Sequence, residues 1–224
     1  MDSNATLTCD ALIFDMDGVL VDSSKVIERS WLKWARHHKL DESAVLPLIH
    51  GRRAIEVVRA VAPHRDAAAE LVTLVDQEVN DAEGPLTFAG VQELLTRLPQ
   101  GRWAIATSAP RVIAIGRLRQ CGLPEPDVFV CAEDVSKSKP SPEGFLKAAA
   151  ALGIAARRCV VVEDSLPGIA AGLAAEMAVI GVATTHAVDE LGKATVRAGR
   201  FSDIAVEFSG GAFAISVRPP GTLP

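Results

Sequence analysis

The feature that most restricts this chain is a series of short apolar runs, each ending in a polar group and separated by helical patterns. Segments 11–14, 102–106, 127–131, 159–162 and 178–182 read as strands. Patterns over 90–98, 110–120 and 166–176, with a further helix opening at Ser141-Pro142, read as the intervening helices. Strands that alternate with helices predict an α/β fold built on a parallel sheet. In such a sheet, chemistry collects where strands end and loops begin.

Between the strand at 11–14 and the next one, the pattern is helical throughout. Val26, Ile27, Ser30, Trp31 and Trp34 share a face of a helix over about 23–38. Ala54, Ile55, Val57, Val58 and Val61 form a second stripe, stopped by Pro63, and Leu71, Leu74, Val75 and Val79 form a third. The organisation expected is therefore a core made of 1–21 and 85–224, with an all-helical insertion over 22–84 placed after the first strand. The tail from Thr184 is less regular. An edge strand is expected at 204–208, followed by a frayed Gly/Pro-rich end.

Composition narrows the classes. The 224 residues, 49% of them hydrophobic, are enough for one large domain with a modest insertion. A net charge of -5 gives no reason to expect nucleic acid or an acidic membrane as a partner. Residues 1–10 do not form a secretory signal, and charges or turn residues interrupt every apolar run before it reaches membrane-spanning length. Cys9, Cys121, Cys131 and Cys159 are scattered and form no C-x-x-C pair. Together these predict a soluble protein of a reducing cytoplasm.

Four strands end in distinct polar groups: Asp15 and Asp17; Thr107 and Ser108; Lys139, one loop beyond its strand; and Glu163 and Asp164. A parallel sheet brings all four ends to one edge. Carboxylates gathered there repel, so the arrangement calls for a cation between them or a retained proton. A hydroxyl and a lysine added to the acids point to a bound oxyanion, with phosphate the natural choice. Mg²⁺ suits such a site because it takes a few carboxylate oxygens and keeps room for a phosphate oxygen. Singly, each residue has a plainer role: Asp164-Ser165 and Ser141-Pro142 are good helix starts, and a lone lysine is usually a solvated charge.

With these motifs in order, the sequence resembles the haloacid dehalogenase-like phosphatases over roughly 9–183. The carriers are Asp15-Met16-Asp17-Gly18-Val19, Thr107-Ser108, Lys139-Pro140-Ser141-Pro142-Glu143, and Glu163-Asp164-Ser165 followed by Pro167-Gly168-Ile169. The resemblance implies a Rossmann-like core with a small helical cap after the first strand. It implies Asp15 as the nucleophile that becomes an aspartyl-phosphate. Asp17 would protonate the leaving alcohol and then activate water. Thr107 and the Ser108 N–H would hold phosphate oxygens, and Lys139 would neutralise nucleophile and phosphoryl charge. Mg²⁺ would be held by Asp15, the Asp17 carbonyl and Asp164, with Glu163 closing the shell directly or through water.

In the cap, His50-Gly51-Arg52-Arg53 forms a turn rich in groups that bind anions and hydroxyls, with Glu56 a weaker candidate beside it. Trp31 and Trp34 read as packing residues. The function implied is Mg²⁺-dependent hydrolysis of a small sugar or polyol phosphate, by a monomer or homodimer acting on a phosphorylated metabolite. One alternative is a sugar-phosphate mutase resembling β-phosphoglucomutase. However, Ile27 stands where such mutases carry a histidine, and Ala54 stands near where they carry an arginine, a place Arg53 could fill. The other alternative is a phosphate-binding protein without turnover. Asp17 argues against a dehalogenase, and no cap lysine has a setting suited to forming an imine.

Overall fold

The computed structural model describes residues 5–49, 52–81 and 83–219. Strands and helices follow in the order β1 (Ala5–Cys9), β2 (Ala11–Phe14), β3 (Val21–Asp22), α1 (Ser24–His37), α2 (Glu42–Val45), α3 (Ala54–Val61), α4 (Ala67–Val79), β4 (Leu86–Thr87), α5 (Val91–Leu95), β5 (Trp103–Ala106) and α6 (Arg111–Gln120). They continue with β6 (Val128–Val130), α7 (Glu143–Leu152), β7 (Cys159–Glu163), α8 (Leu166–Ala174), β8 (Ala178–Val182), β9 (Val196–Ala198), β10 (Ile204–Ser209) and β11 (Ala212–Val217).

Six strands form a parallel sheet in the order β6-β5-β2-β7-β8-β9. Its central strands are buried on both faces, which is why they read as continuous apolar runs rather than alternating ones. Side chains nevertheless alternate between the faces. Leu12, Phe14, Val160 and Val162 enter one core, while Ala11, Ile13, Cys159 and Val161 enter the other. Phe145, Ala148 and Ala149 of α7, with Ile169 and Ala171 of α8, cover the second face.

Helix α5 and α6 cover only part of the first face. The rest lies under a three-stranded antiparallel sheet, β1-β11-β10, which presents Phe213, Ile215 and Val217 to the core. The expected strand at 204–208 is β10, at one edge of this small sheet. Strands β1 and β11 were not foreseen, and β2 is the first strand of the parallel sheet rather than of the chain. Gly210 (φ +60°) and Gly211 (φ +84°) form the β10–β11 turn, a left-handed pair that tight hairpins favour. The Gly/Pro-rich end expected to fray after that strand instead continues as β11 to Val217, because β11 pairs with both β1 and β10, and 220–224 lie outside the described residues.

Helices α1 to α4 occupy the chain between β3 and β4, which pair antiparallel where this helical unit joins the sheet. The unit has its own core of Trp31, Trp34, Val57, Val58 and Leu74. Trp31 and Trp34 meet edge to face at 5.4 Å, and the Trp34 indole donates to Glu70 at 2.7 Å. Asp66 caps α4 by accepting from Ala68 N at 3.0 Å. Among the described residues no helix is long and apolar enough to cross a membrane.

Candidate active site

Parallel register fixes the site. Phe14 pairs with Ile105 on one side and Val162 on the other, so the residues that follow these three strands emerge at one edge. Asp15, Thr107, Glu163 and Asp164 all arise there and are all buried. The loop after β6 carries Lys139 back to the same edge. Its Nζ lies 2.8 Å from Asp15 Oδ1 and 2.6 Å from Glu163 Oε1. Only the Glu163 contact is aligned as a hydrogen bond, so Asp15 Oδ1 has an electrostatic partner but no aligned donor.

Glu163 is fully committed. Lys139 takes Oε1, while Ser165 donates to Oε2 from its N–H at 2.6 Å and its hydroxyl at 3.0 Å. The Ser165 hydroxyl in turn caps α8 by accepting from Gly168 N at 3.1 Å. A helix cap and a lysine anchor are thus built from one carboxylate. Gly168 shows how tightly the group is packed, since a Cβ there would fall 1.6 Å from Glu163 Oε1. Gly168→Ala is expected to cost about 2–3 kcal/mol through overpacking, read as a lower denaturant midpoint with an unchanged slope.

Asp164 is set from the opposite side. Its Oδ2 accepts from Thr185 Oγ1 at 2.5 Å, and the Gly18 backbone passes so close that a Cβ would meet Oδ2 at 2.0 Å. Gly18 also has φ +82°, so both space and conformation select glycine. Carboxylate oxygens of Asp15, Glu163 and Asp164 lie within 4.8 Å of one another. Burial, reinforced by Glu163 and Asp17 and opposed by Lys139, pushes Asp15 up to about 7. Burial, with Glu163 and Asp15 beside it, also holds Asp164 well above the usual carboxylate range. Burial would strip the Lys139 proton, but Asp15 and Glu163 overcome that and raise its pKa. Three acids facing one ammonium, with a buried carboxylate oxygen left without an aligned donor, form a hard-oxygen set that fits a divalent cation.

Asp17 points elsewhere. Its Oδ1 accepts from Ser23 Oγ and from Arg117 Nη1, both at 2.6 Å. Arg117, from the last turn of α6, also pairs through Nη2 with Glu78 of α4. A cavity opens between the sheet edge and the helical unit. Asp15, Asp17, Thr107 and Asp164 line its floor, while Arg52, Ile27, Trp31, Leu74 and Glu78 line its roof.

The structure divides the candidate residues of the helical unit. Arg52 faces the cavity. Arg53 is bound to Glu56 and to the carbonyls of Val135 at 2.9 Å and Ser136 at 3.3 Å. Glu56 in turn receives the Ser138 hydroxyl. That pair therefore ties the helical unit to the loop carrying Lys139. Ser108 lines the cavity beside Thr107. His50 and Gly51 lie outside the described residues.

Reading the sequence did not find Arg117, Glu78, Ser23 or Thr185. Two of them had a signal. Arg117 occupies the apolar stripe Ile113, Ala114, Arg117, Leu118, and Glu78 the stripe Leu71, Leu74, Val75, Glu78. A charge at a core position of an amphipathic helix needs a buried partner.

A parallel α/β sheet with an acidic cluster, a lysine and a threonine at its carboxyl edge, roofed by an inserted helical unit, is the architecture of a phosphoryl-handling hydrolase. Residues 9–176 match the family model of haloacid dehalogenase-like hydrolase, and the chain belongs to that family. It is 42% identical over 181 residues to hexitol phosphatase A of Escherichia coli, spanning 79% of this chain and 84% of that one. Identity to glycerol-1-phosphate phosphohydrolase 2 of Saccharomyces cerevisiae is 33% over 199 residues, covering 83% and 79%. Among solved structures, CbbY from Rhodobacter sphaeroides in complex with phosphate superposes with a TM-score of 0.74 at 23% identity, covering 87% of this chain and 96% of that one.

Proposed function

We propose that the protein is an Mg²⁺-dependent phosphatase of small sugar or polyol phosphates, working through an aspartyl-phosphate. The observation that carries this is the meeting of Asp15 and Asp17, two residues apart on one strand end, with Lys139 and Thr107 beneath a cavity closed by the helical unit. Residues 22–84 act as the cap and the remainder as the catalytic core. The relatives named for hexitol and glycerol phosphates support the substrate class.

Asp15 attacks phosphorus, and Lys139 holds both the nucleophile and the incoming charge. Thr107, with the Ser108 N–H, receives phosphate oxygens. Asp17 gives a proton to the leaving alcohol and later takes one from water. Asp15, Asp164 and the Asp17 carbonyl would hold Mg²⁺, with Glu163 behind them as the anchor of Lys139. When bound, the cation supplies charge neutralisation for phosphate in a carboxylate-lined site. Arg52 faces the alcohol portion of the substrate. Ile27 lines the cavity and offers no second acid or base to a sugar hydroxyl, which disfavours mutase chemistry.

The test is inorganic phosphate release from hexitol, glycerol and hexose phosphates, with and without Mg²⁺. Mg²⁺-dependent release from the polyol phosphates is the expected result. Isomerisation of a bisphosphate-primed hexose phosphate without release would replace this reading with a mutase, and silence in both assays with a binding protein.

A further inference from the structure

Arg117 is the most deeply placed cation near the site that the chemistry above does not use. Its side chain is 6% exposed, and its Nε finds no hydrogen-bond partner among the described residues. A buried guanidinium with an unsatisfied N–H is a poor device for stability, because a packed apolar side chain could do as well. The geometry points to a different use. Nη1 reaches Asp17 in the core and Nη2 reaches Glu78 in the helical unit, so one rigid plane spans the two bodies. On the Asp17 side, Arg117 and Ser23 converge on the same oxygen, Oδ1. That leaves Oδ2 clear of both donors, on a residue that lines the cavity.

We propose that Arg117 is a positioning residue that fixes the Asp17 carboxylate for proton transfer, and that Glu78 completes this alignment when α4 is docked over the site. Seating of the cap is thereby linked to readiness of the acid/base. This rests on the reading of Asp17 as the acid/base.

The test compares kcat/KM for two small substrates, glycerol phosphate and acetyl phosphate. An alkyl alcohol leaves only with a proton supplied, whereas acetate leaves without one. Since kcat/KM covers steps only through phosphoryl transfer, the later role of Asp17 with water does not enter. Arg117→Met is expected to lower kcat/KM for glycerol phosphate by about 100-fold, and that for acetyl phosphate by less than about threefold. Glu78→Ala should show the same selectivity at about tenfold. Arg117→Met/Glu78→Gln removes both charges, and so avoids an unpaired buried carboxylate if the single variant does not fold. Equal losses on both substrates would make Arg117 merely structural and overturn the proposal. Asp17→Asn separates the two levels. If it shows no selectivity, the acid/base reading fails; if it is selective while the Arg117 variants are not, only the positioning role fails.

Discussion

Asp15→Asn is expected to lower phosphatase turnover by about 10⁴-fold or more while leaving the fold intact. The amide keeps the shape of the carboxylate but cannot attack phosphorus, and nothing else at the sheet edge can replace it. Glu163 is fully occupied by Lys139 and Ser165, Asp164 is held by Thr185, and the Asp17 carboxylate is fixed through Oδ1 by Ser23 and Arg117. The same variant should be no less heat-stable than the parent in metal-free buffer near pH 8. Burial holds Asp15 at about 7 in the folded chain, so above that pH the fold carries a carboxylate it disfavours. Asparagine removes that burden, and Lys139 retains Glu163. Phosphate release and thermal unfolding on one preparation check both parts. Residual turnover near the parent level would remove Asp15 from the nucleophile role, and a marked fall in Tm would show that its pair with Lys139 outweighs its desolvation.

The candidate site was legible in the sequence where one residue type at one strand end carries the information. Asp15, Asp17, Thr107 and Glu163-Asp164 each follow an apolar run, Lys139 lies one loop beyond its own, and parallel pairing does the rest. Groups whose meaning comes from distant pairing were hidden. Arg117 and Glu78 lie 39 residues apart and meet only when α4 docks against α6. As isolated charges on helices they pass for solvated ones unless their apolar stripes are traced. Arg53 reads as an anion ligand in sequence, and the structure adds hydrogen bonds to the Val135 and Ser136 carbonyls, which no local pattern could show. The small antiparallel sheet has the same cause, because β1 pairs with β11 from the opposite end of the chain. Gly210-Gly211 was a hairpin signal in plain view, and Phe213, Ile215 and Val217 alternate after it as a half-buried strand does, but the strand before it alternates weakly and the pair was passed over as part of an irregular tail.

Mg²⁺ should raise the melting temperature, and by more at pH 8 than at pH 5. In the metal-free protein the folded chain keeps a proton on Asp15 up to about 7, whereas the unfolded chain releases it near 3.8. Between those values the folded state binds more protons, so the contribution of Asp15 to stability falls as pH rises through that window. Asp164 acts in the same direction. A divalent cation reverses the balance by supplying the positive charge that Lys139 alone cannot. At pH 5 it must first displace a proton; at pH 8 it meets carboxylates already ionised. At about 100 times its Kd the cation would add about 2.7 kcal/mol, which for a chain of this size is a Tm increase of roughly 5–10 °C. Chelation should lower turnover by about 10³-fold, the equivalent of several kcal/mol of lost charge neutralisation. Asp164→Asn should abolish the Mg²⁺-induced shift together with the activity, because it removes a ligand without disturbing the pair between Lys139 and Glu163. A shift that is equal at both pH values, or that survives Asp164→Asn, would mean that the cation binds away from Asp15 and Asp164.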